Sequence, residues 1–233
     1  MEGATRTGAI AESARCPDPL AEGDRFLSPN DRCHWMKDGT TRMFEYVRTV
    51  LKGSGAHGFD HTLRVVRLCE DLGAREGADM KILIPAAIFH DIARPLEETT
   101  GVPHEEEGAR MAAAYLEAIH YPADLIAGVV HAIRSHRYST GIEPGTLEAR
   151  VLSDADNLDA VGAVGIARTF MQSGEQGNGI ADAADHFHDK LLNLKDHMYT
   201  ESAREIAEGR HALLVAFLAA LEEETGPRPL SGW

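Results

Sequence analysis

The sequence predicts an all-α fold. Ala, Leu, Ile and Glu are abundant while aromatic residues make up only 6 % of the chain, a mix that favours helices over strands. Apolar residues recur at spacings of three and four through most of the chain, and no segment alternates as a half-buried strand would. With 233 residues, 43 % hydrophobic and 26 % charged, the chain is long enough to bury a full core.

Residues 1–38 are rich in Gly, Pro, Ser, Asp and Arg and keep no period, so they read as an irregular N-terminal arm. A first helix is expected over Thr40–Lys52, with Met43, Phe44, Val47, Val50 and Leu51 inward. Gly53-Ser54-Gly55-Ala56-His57-Gly58 breaks it. That string matches G-x-G-x-x-G literally, but it follows a helical pattern instead of a strand, so it reads as a link and not a dinucleotide loop. A second helix is expected from Asp60 to Glu76, with an apolar stripe of Val65, Leu68, Cys69 and Leu72; one turn before Val65 the same face begins with His61.

The third helix, Met80–Ala93, is apolar almost all round and should be central, capped by Asp79. Pro85 inside it requires a kink or a later start. Arg94-Pro95 should end it, with a polar loop to Pro103. Helices are expected over His104–His120, from Pro122 to Ser135, over Leu147–Gly162 with Leu152, Ala155, Asp156 and Asp159 on one face, over 181–200, and over Ser202–Glu224 with Ile206, Leu213, Leu214, Phe217, Leu218 and Leu221 inward. Residues 39–226 then form one domain and 227–233 a C-terminal tail.

The net charge of −14 repels phosphate backbones and anionic lipid, which argues against a nucleic-acid polymer or a membrane surface as partner. Cys16, Cys33 and Cys69 form no C-x-x-C pair, so a reducing, cytoplasmic setting is expected. The longest apolar run, Ile82–Phe89, is too short to cross a bilayer, and charges interrupt any signal-peptide pattern at the N-terminus.

The chemistry concentrates in a few polar residues on apolar faces. His90-Asp91 ends the most apolar helix, His61 heads one buried face and Asp156 sits on another. Burying an imidazole or a carboxylate unpaired is costly, and a divalent cation relieves that cost for both. Each residue alone reads more simply as a capped or ion-paired core group; together they favour a metal. His104, His131 and His136 are candidates for a second metal, and His131 and His136 for phosphate contact, with helix-end capping as the plainer reading. Asp60 could orient His61 or a water, or cap its helix. Arg64 and Lys195, with Lys190 and Arg94 behind them, could offset phosphate charge, against the plainer reading of interhelical ion pairs.

The order His61, His90-Asp91, Asp156 resembles the H…HD…D signature of the HD phosphohydrolase superfamily. The strings HGFDHTLRVVRL (57–68), AAIFHDIAR (86–94) and DADNLDAVGAVGIARTF (154–170) resemble its ligand-bearing helices, and HFHDKLLNLKDHMYTESAREIAEGR (186–210) extends the likeness to about residue 224. The chain is most similar to small stand-alone bacterial and archaeal HD hydrolases, including nucleotide pyrophosphohydrolase-like members. The resemblance implies an HD-domain helical bundle in which His61, His90, Asp91 and Asp156 bind the metal. Asp156 is preferred over Asp154 and Asp159 because Ala155-Asp156-Asn157-Leu158 fits the family's A-D-x-L string; Asn157 stands where Arg is common. The implied cofactor is a divalent ion (Mn, Mg, Fe, Co or Ni). The implied activity is hydrolysis of a phosphoester or phosphoanhydride of a small phosphorylated molecule, a nucleotide above all, by a metal-activated water. A cyclic-nucleotide or alarmone hydrolase and a non-catalytic metal- or nucleotide-binding module are the rivals. Glu97-Glu98 lies past Arg94-Pro95 and fits the alarmone enzymes' acidic pair poorly. Oligomeric state is open, a homodimer included.

Overall fold

The computed structural model describes residues 29–51, 58–137 and 141–226, with side chains from residue 39 onward. Among them are ten α-helices and no strand: α1 Pro29–Val50, α2 Phe59–Glu76, α3 Met80–Phe89, α4 Arg94–Thr100, α5 His104–Ala118, α6 Ala123–Ser135, α7 Leu147–Asp159, α8 Gly162–Glu175, α9 Ile180–Asp189 and α10 Glu201–Thr225, with a 3-10 segment Leu191–His197 before α10. The fold is all-α, as expected. His57 and most of the Gly53–Gly58 string, Cys16, the side chain of Cys33 and the tail 227–233 lie outside the described residues.

α3 is the axis of the bundle. It packs on α1, α2, α5, α6 and α7, and Leu83, Ala86, Ala87, Ile88 and Phe89 are fully buried. Asp79 caps it by accepting the Lys81 N–H. Pro85 lies inside the helix. A proline has no N–H for the carbonyl four residues back, and that carbonyl, on Lys81, is claimed by the Tyr121 hydroxyl at 2.7 Å. The helix therefore runs through Pro85 with its orphaned acceptor satisfied from the α5–α6 connection.

Several expected boundaries shift. α1 begins at Pro29, inside the stretch expected to be irregular; proline is well suited to a first helical turn. α3 ends at Phe89, where a turn closes through Ile92 N→Phe89 O and Arg94 N→Asp91 O. Arg94–Thr100 is a short helix and not a loop, because Pro95 falls in its first turn, where its missing N–H costs nothing. α2 is preceded by Gly58 as N-cap, so Asp60 is an exposed first-turn acid and not the cap. The expected 181–200 helix breaks at Lys190 into α9 and the 3-10 segment. α8, which the sequence reading did not assign, follows α7 after a sharp turn at Gly162. There Gly165 lies so close to Ala160 that an added Cβ would sit 2.2 Å from its carbonyl oxygen. Leu213, expected inward, is 46 % exposed.

Among the described residues no helix is long and apolar enough to cross a membrane.

Candidate metal centre

The ends of five helices deliver polar side chains to one interior point. His61 comes from the first turn of α2 and His90-Asp91 from the turn closing α3. His104 opens α5, His136 follows the last residue of α6, and Asp156 lies in α7. Helix ends suit this task because their backbones are already irregular and can aim a side chain inward. His61, His90, Asp91, His104 and His136 are all at most 1 % exposed; the Asp156 side chain is 23 % exposed and forms the open edge.

Candidate ligand atoms of His61, His90 and Asp156 lie within 4.8 Å of one another, and so do those of Asp91, His104 and His136. His61 Nε2 is 3.3 Å from Asp156 Oδ1 and 3.4 Å from Asp91 Oδ2, and 3.2 Å from His90 Nε2. On the other side, Asp91 Oδ1 is 3.1 Å from His104 Nε2 and 3.8 Å from His136 Nε2, which are 3.4 Å apart. Asp91 thus turns one oxygen to each triad.

Every outer ring nitrogen is already engaged. Nδ1 of His90 donates to Ala87 O at 2.8 Å and Nδ1 of His136 to Ile133 O at 2.6 Å, each three residues back on its own helix. Nδ1 of His61 meets Asp159 Oδ2, and Nδ1 of His104 meets Glu97 Oε2, both at 2.7 Å. A neutral imidazole that gives its Nδ1 proton outward presents a bare Nε2 lone pair inward. Several such lone pairs at just over 3 Å repel unless a proton or cation lies between them. The donor set therefore fits a divalent ion: neutral imidazoles and carboxylates, each oriented from behind.

The charges follow the same geometry. Burial opposes a proton on His61, but Asp156, Asp159 and Asp91 outweigh it and raise the ring to about 10. Burial, opposed by Asp91 and helped by the charges of His61 and His136, pushes His90 down to about 4. Burial would raise Asp91 too; His90, Arg94, His104 and His136 hold it well below the usual carboxylate range. Asp156 is likewise held down against its burial by His61 and His90.

The family model of the HD domain matches residues 58–161, the stretch that carries all of these residues. YpgQ of Bacillus subtilis is 35 % identical over 186 residues, covering 77 % of this chain and 90 % of the relative. The chain belongs to the HD-domain family. The crystal structure of B. subtilis YpgQ in complex with ADP superposes with a TM-score of 0.68 at 32 % identity, covering 79 % of this chain and 97 % of that one. A predicted HD superfamily hydrolase from an uncultured Thermotogales bacterium gives 0.62 at 34 % identity, covering 80 % and 92 %. HD domains bind divalent metals, and the two triads are His/Asp clusters of the kind that hold them. Membership of the HD superfamily supports hydrolase activity in general.

Arg64 grips Asp159 with two hydrogen bonds, Nε to Oδ1 at 2.7 Å and a terminal nitrogen to Oδ2 at 2.9 Å. Arg94 Nε donates to Asp91 Oδ1 at 3.0 Å. Lys195 lies 3.9 Å from Glu208. His131 is outside both triads; its Nε2 accepts the Gly145 N–H at 3.1 Å. Asp154 accepts from the Tyr199 and Thr200 amides and the Thr200 hydroxyl, and so anchors the start of α10. Asp159 and Glu97, the carboxylates behind His61 and His104, were missed. Asp159 carried a usable signal, closing α7 three residues after Asp156 on the same face; Glu97 carried none, since it depends on an α4 that the sequence did not announce.

Proposed function

We propose that this chain is a metal-dependent phosphohydrolase that cleaves a phosphoester or phosphoanhydride of a nucleotide. The observation that carries the reading is the convergence of four imidazole Nε2 atoms and two carboxylates on one buried point, with every Nδ1 held from behind. His61, His90 and Asp156 would hold one cation, Asp91, His104 and His136 a second, and Asp91 would serve both. Bound there, divalent ions lower the pKa of a water, neutralise phosphate oxygens and fix the line of attack.

The chain's own residues supply the rest. His61 and His90 are sealed from solvent, while Asp156 faces the open edge, so substrate would enter from the Asp156 side. The whole chain carries a charge of −14, which opposes the approach of a polyphosphate. Arg64 and Arg94, 35 % and 21 % exposed beside the ligand residues, would offset that field locally. The complex of the similar YpgQ with ADP supports a nucleotide over other phosphate compounds.

The test is a purified sample incubated with manganese and a panel of nucleotides, with phosphate and pyrophosphate release measured. Turnover that disappears in His90→Ala and Asp91→Ala supports the proposal. No turnover of any phosphate compound, despite bound metal and a nucleotide-induced melting shift, would leave a binding module instead.

A further inference from the structure

The four inward-facing imidazoles are oriented in two different ways. His90 and His136 are fixed by carbonyls of their own helices, so their orientation comes with the helix. His61 and His104 need a carboxylate from elsewhere in the chain. For His61 it is Asp159, buried in α7. For His104 it is Glu97, on a seven-residue helix with no buried residue of its own.

Glu97 is held on several sides. Its Oε2 is 2.7 Å from His104 Nδ1, its Oε1 accepts from Arg137 at 3.0 Å, and Arg94 stands 3.6 Å away. Arg94 also donates to Asp91 Oδ1, so Asp91, Arg94, Glu97 and His104 close a ring of charged contacts around the second triad. Glu105 is the competing carboxylate, 3.3 Å from the same Nδ1. Arg137 spans both acids, at 3.0 Å from Glu97 and 3.5 Å from Glu105.

We propose that Glu97 is the positioning residue of the Asp91–His104–His136 triad. It accepts the hydrogen bond from His104 Nδ1–H, fixes the tautomer, turns Nε2 toward Asp91 Oδ1 and makes that nitrogen a stronger donor to a cation. It therefore sets the affinity of the second triad and leaves the His61–His90–Asp156 triad unaffected. The inference rests on the two-cation reading proposed above. The rival account is purely structural: His104 tied to the carboxylates of Glu97 and Glu105, fastening α4 to the bundle. That account predicts a lower melting temperature on loss of Glu97 and no selective change in metal binding.

The experiment titrates manganese into the full chain, following stoichiometry by calorimetry and the Mn–Mn spin coupling by electron paramagnetic resonance. Wild type should take two ions and show a coupled spectrum. In Glu97→Gln, affinity for the second ion should fall about 10- to 100-fold, the coupled spectrum should give way to that of isolated ions, and the first ion should bind as before. Unchanged first-ion binding also shows that the fold survives. Glu97→Asp, which keeps the charge but withdraws it by one methylene, should give a smaller loss, and Glu98→Gln, an exposed neighbour on α4, none. Two ions bound by Glu97→Gln at wild-type affinity would overturn the role of Glu97 alone. Equal weakening of both ions would overturn it in favour of the structural account. A wild-type protein that takes one ion at saturating manganese would overturn it together with the two-cation reading.

Discussion

His61 Nδ1 and Asp159 Oδ2 stand 2.7 Å apart, and that carboxylate is gripped in turn by Arg64 and Arg168. The ring that heads α2 is thus aimed from α7, 98 residues later. In Asp159→Asn we expect the affinity of the His61–His90–Asp156 triad for manganese to fall about 10- to 100-fold. Calorimetric titration checks this; an unaltered first binding constant would refute it.

The same carboxylate should govern acid stability. Burial would raise its pKa, but His61, Arg64 and Arg168 hold it well below the usual carboxylate range. The unfolded chain, with an ordinary aspartate near 3.9, binds that proton more readily than the folded one. The stabilisation is therefore complete above roughly pH 4 and is lost as the pH falls further. Melting temperatures of wild type should drop more steeply below that point than those of Asp159→Asn; parallel curves would count against the assignment.

Metal uptake should release protons. His61, raised to about 10, is charged at neutral pH in the absence of a cation and must be neutral to ligate one. Apparent affinity should rise with pH across the neutral range, and titrations in buffers of different ionisation enthalpy should give different heats. Heats independent of the buffer would exclude the exchange.

Asp154 offers a control two residues from the candidate ligand Asp156. Its three accepted bonds hold Tyr199 and Thr200 at the start of α10. Asp154→Ala should cost about 3 kcal/mol, since it leaves buried donors without an acceptor, while the refolded protein binds manganese normally. Denaturant melts and titration separate the two effects.

At Gly165 there is no room for a methyl group, because Ala160 backbone atoms lie 2.2 and 2.4 Å from where it would go. Gly165→Ala should force α8 away from the end of α7, costing 1–3 kcal/mol or more by the usual scale of overpacking, at about the low end only if α8 can shift freely. A melting temperature equal to wild type would show that the turn is softer than its geometry implies.

The sequence exposed what each helix carries on its own face. His61 one turn before Val65, His90-Asp91 at the end of an apolar helix and Asp156 beside Leu152 and Ala155 were readable because a helical face is a local property. What orients those ligands was not, because Glu97 and Asp159 meet their imidazoles across separate helices. His131 and His136, five residues apart, fall on different faces of α6: His136 reaches the centre, while His131 turns toward Gly145. Arg64 read in sequence either as a phosphate contact or as an interhelical ion-pair partner, and in space it is engaged by Asp159. α4 was invisible because Arg94-Pro95 reads equally well as the stop of one helix and the start of the next.

The bond from Tyr121 to Lys81 has a mechanical consequence. Burial and the nearby Asp79 raise the phenol to about 12, so it remains a donor far into the alkaline range. It rivets the α5–α6 connection to the first turns of α3. His90 and Asp91 ride at the far end of α3, and His104 and His136 at the ends of α5 and α6 away from that connection. The helices are thus pinned together at one pole of the bundle while their other pole bears the candidate metal-binding side chains, like a clamp fastened at the end away from its jaws.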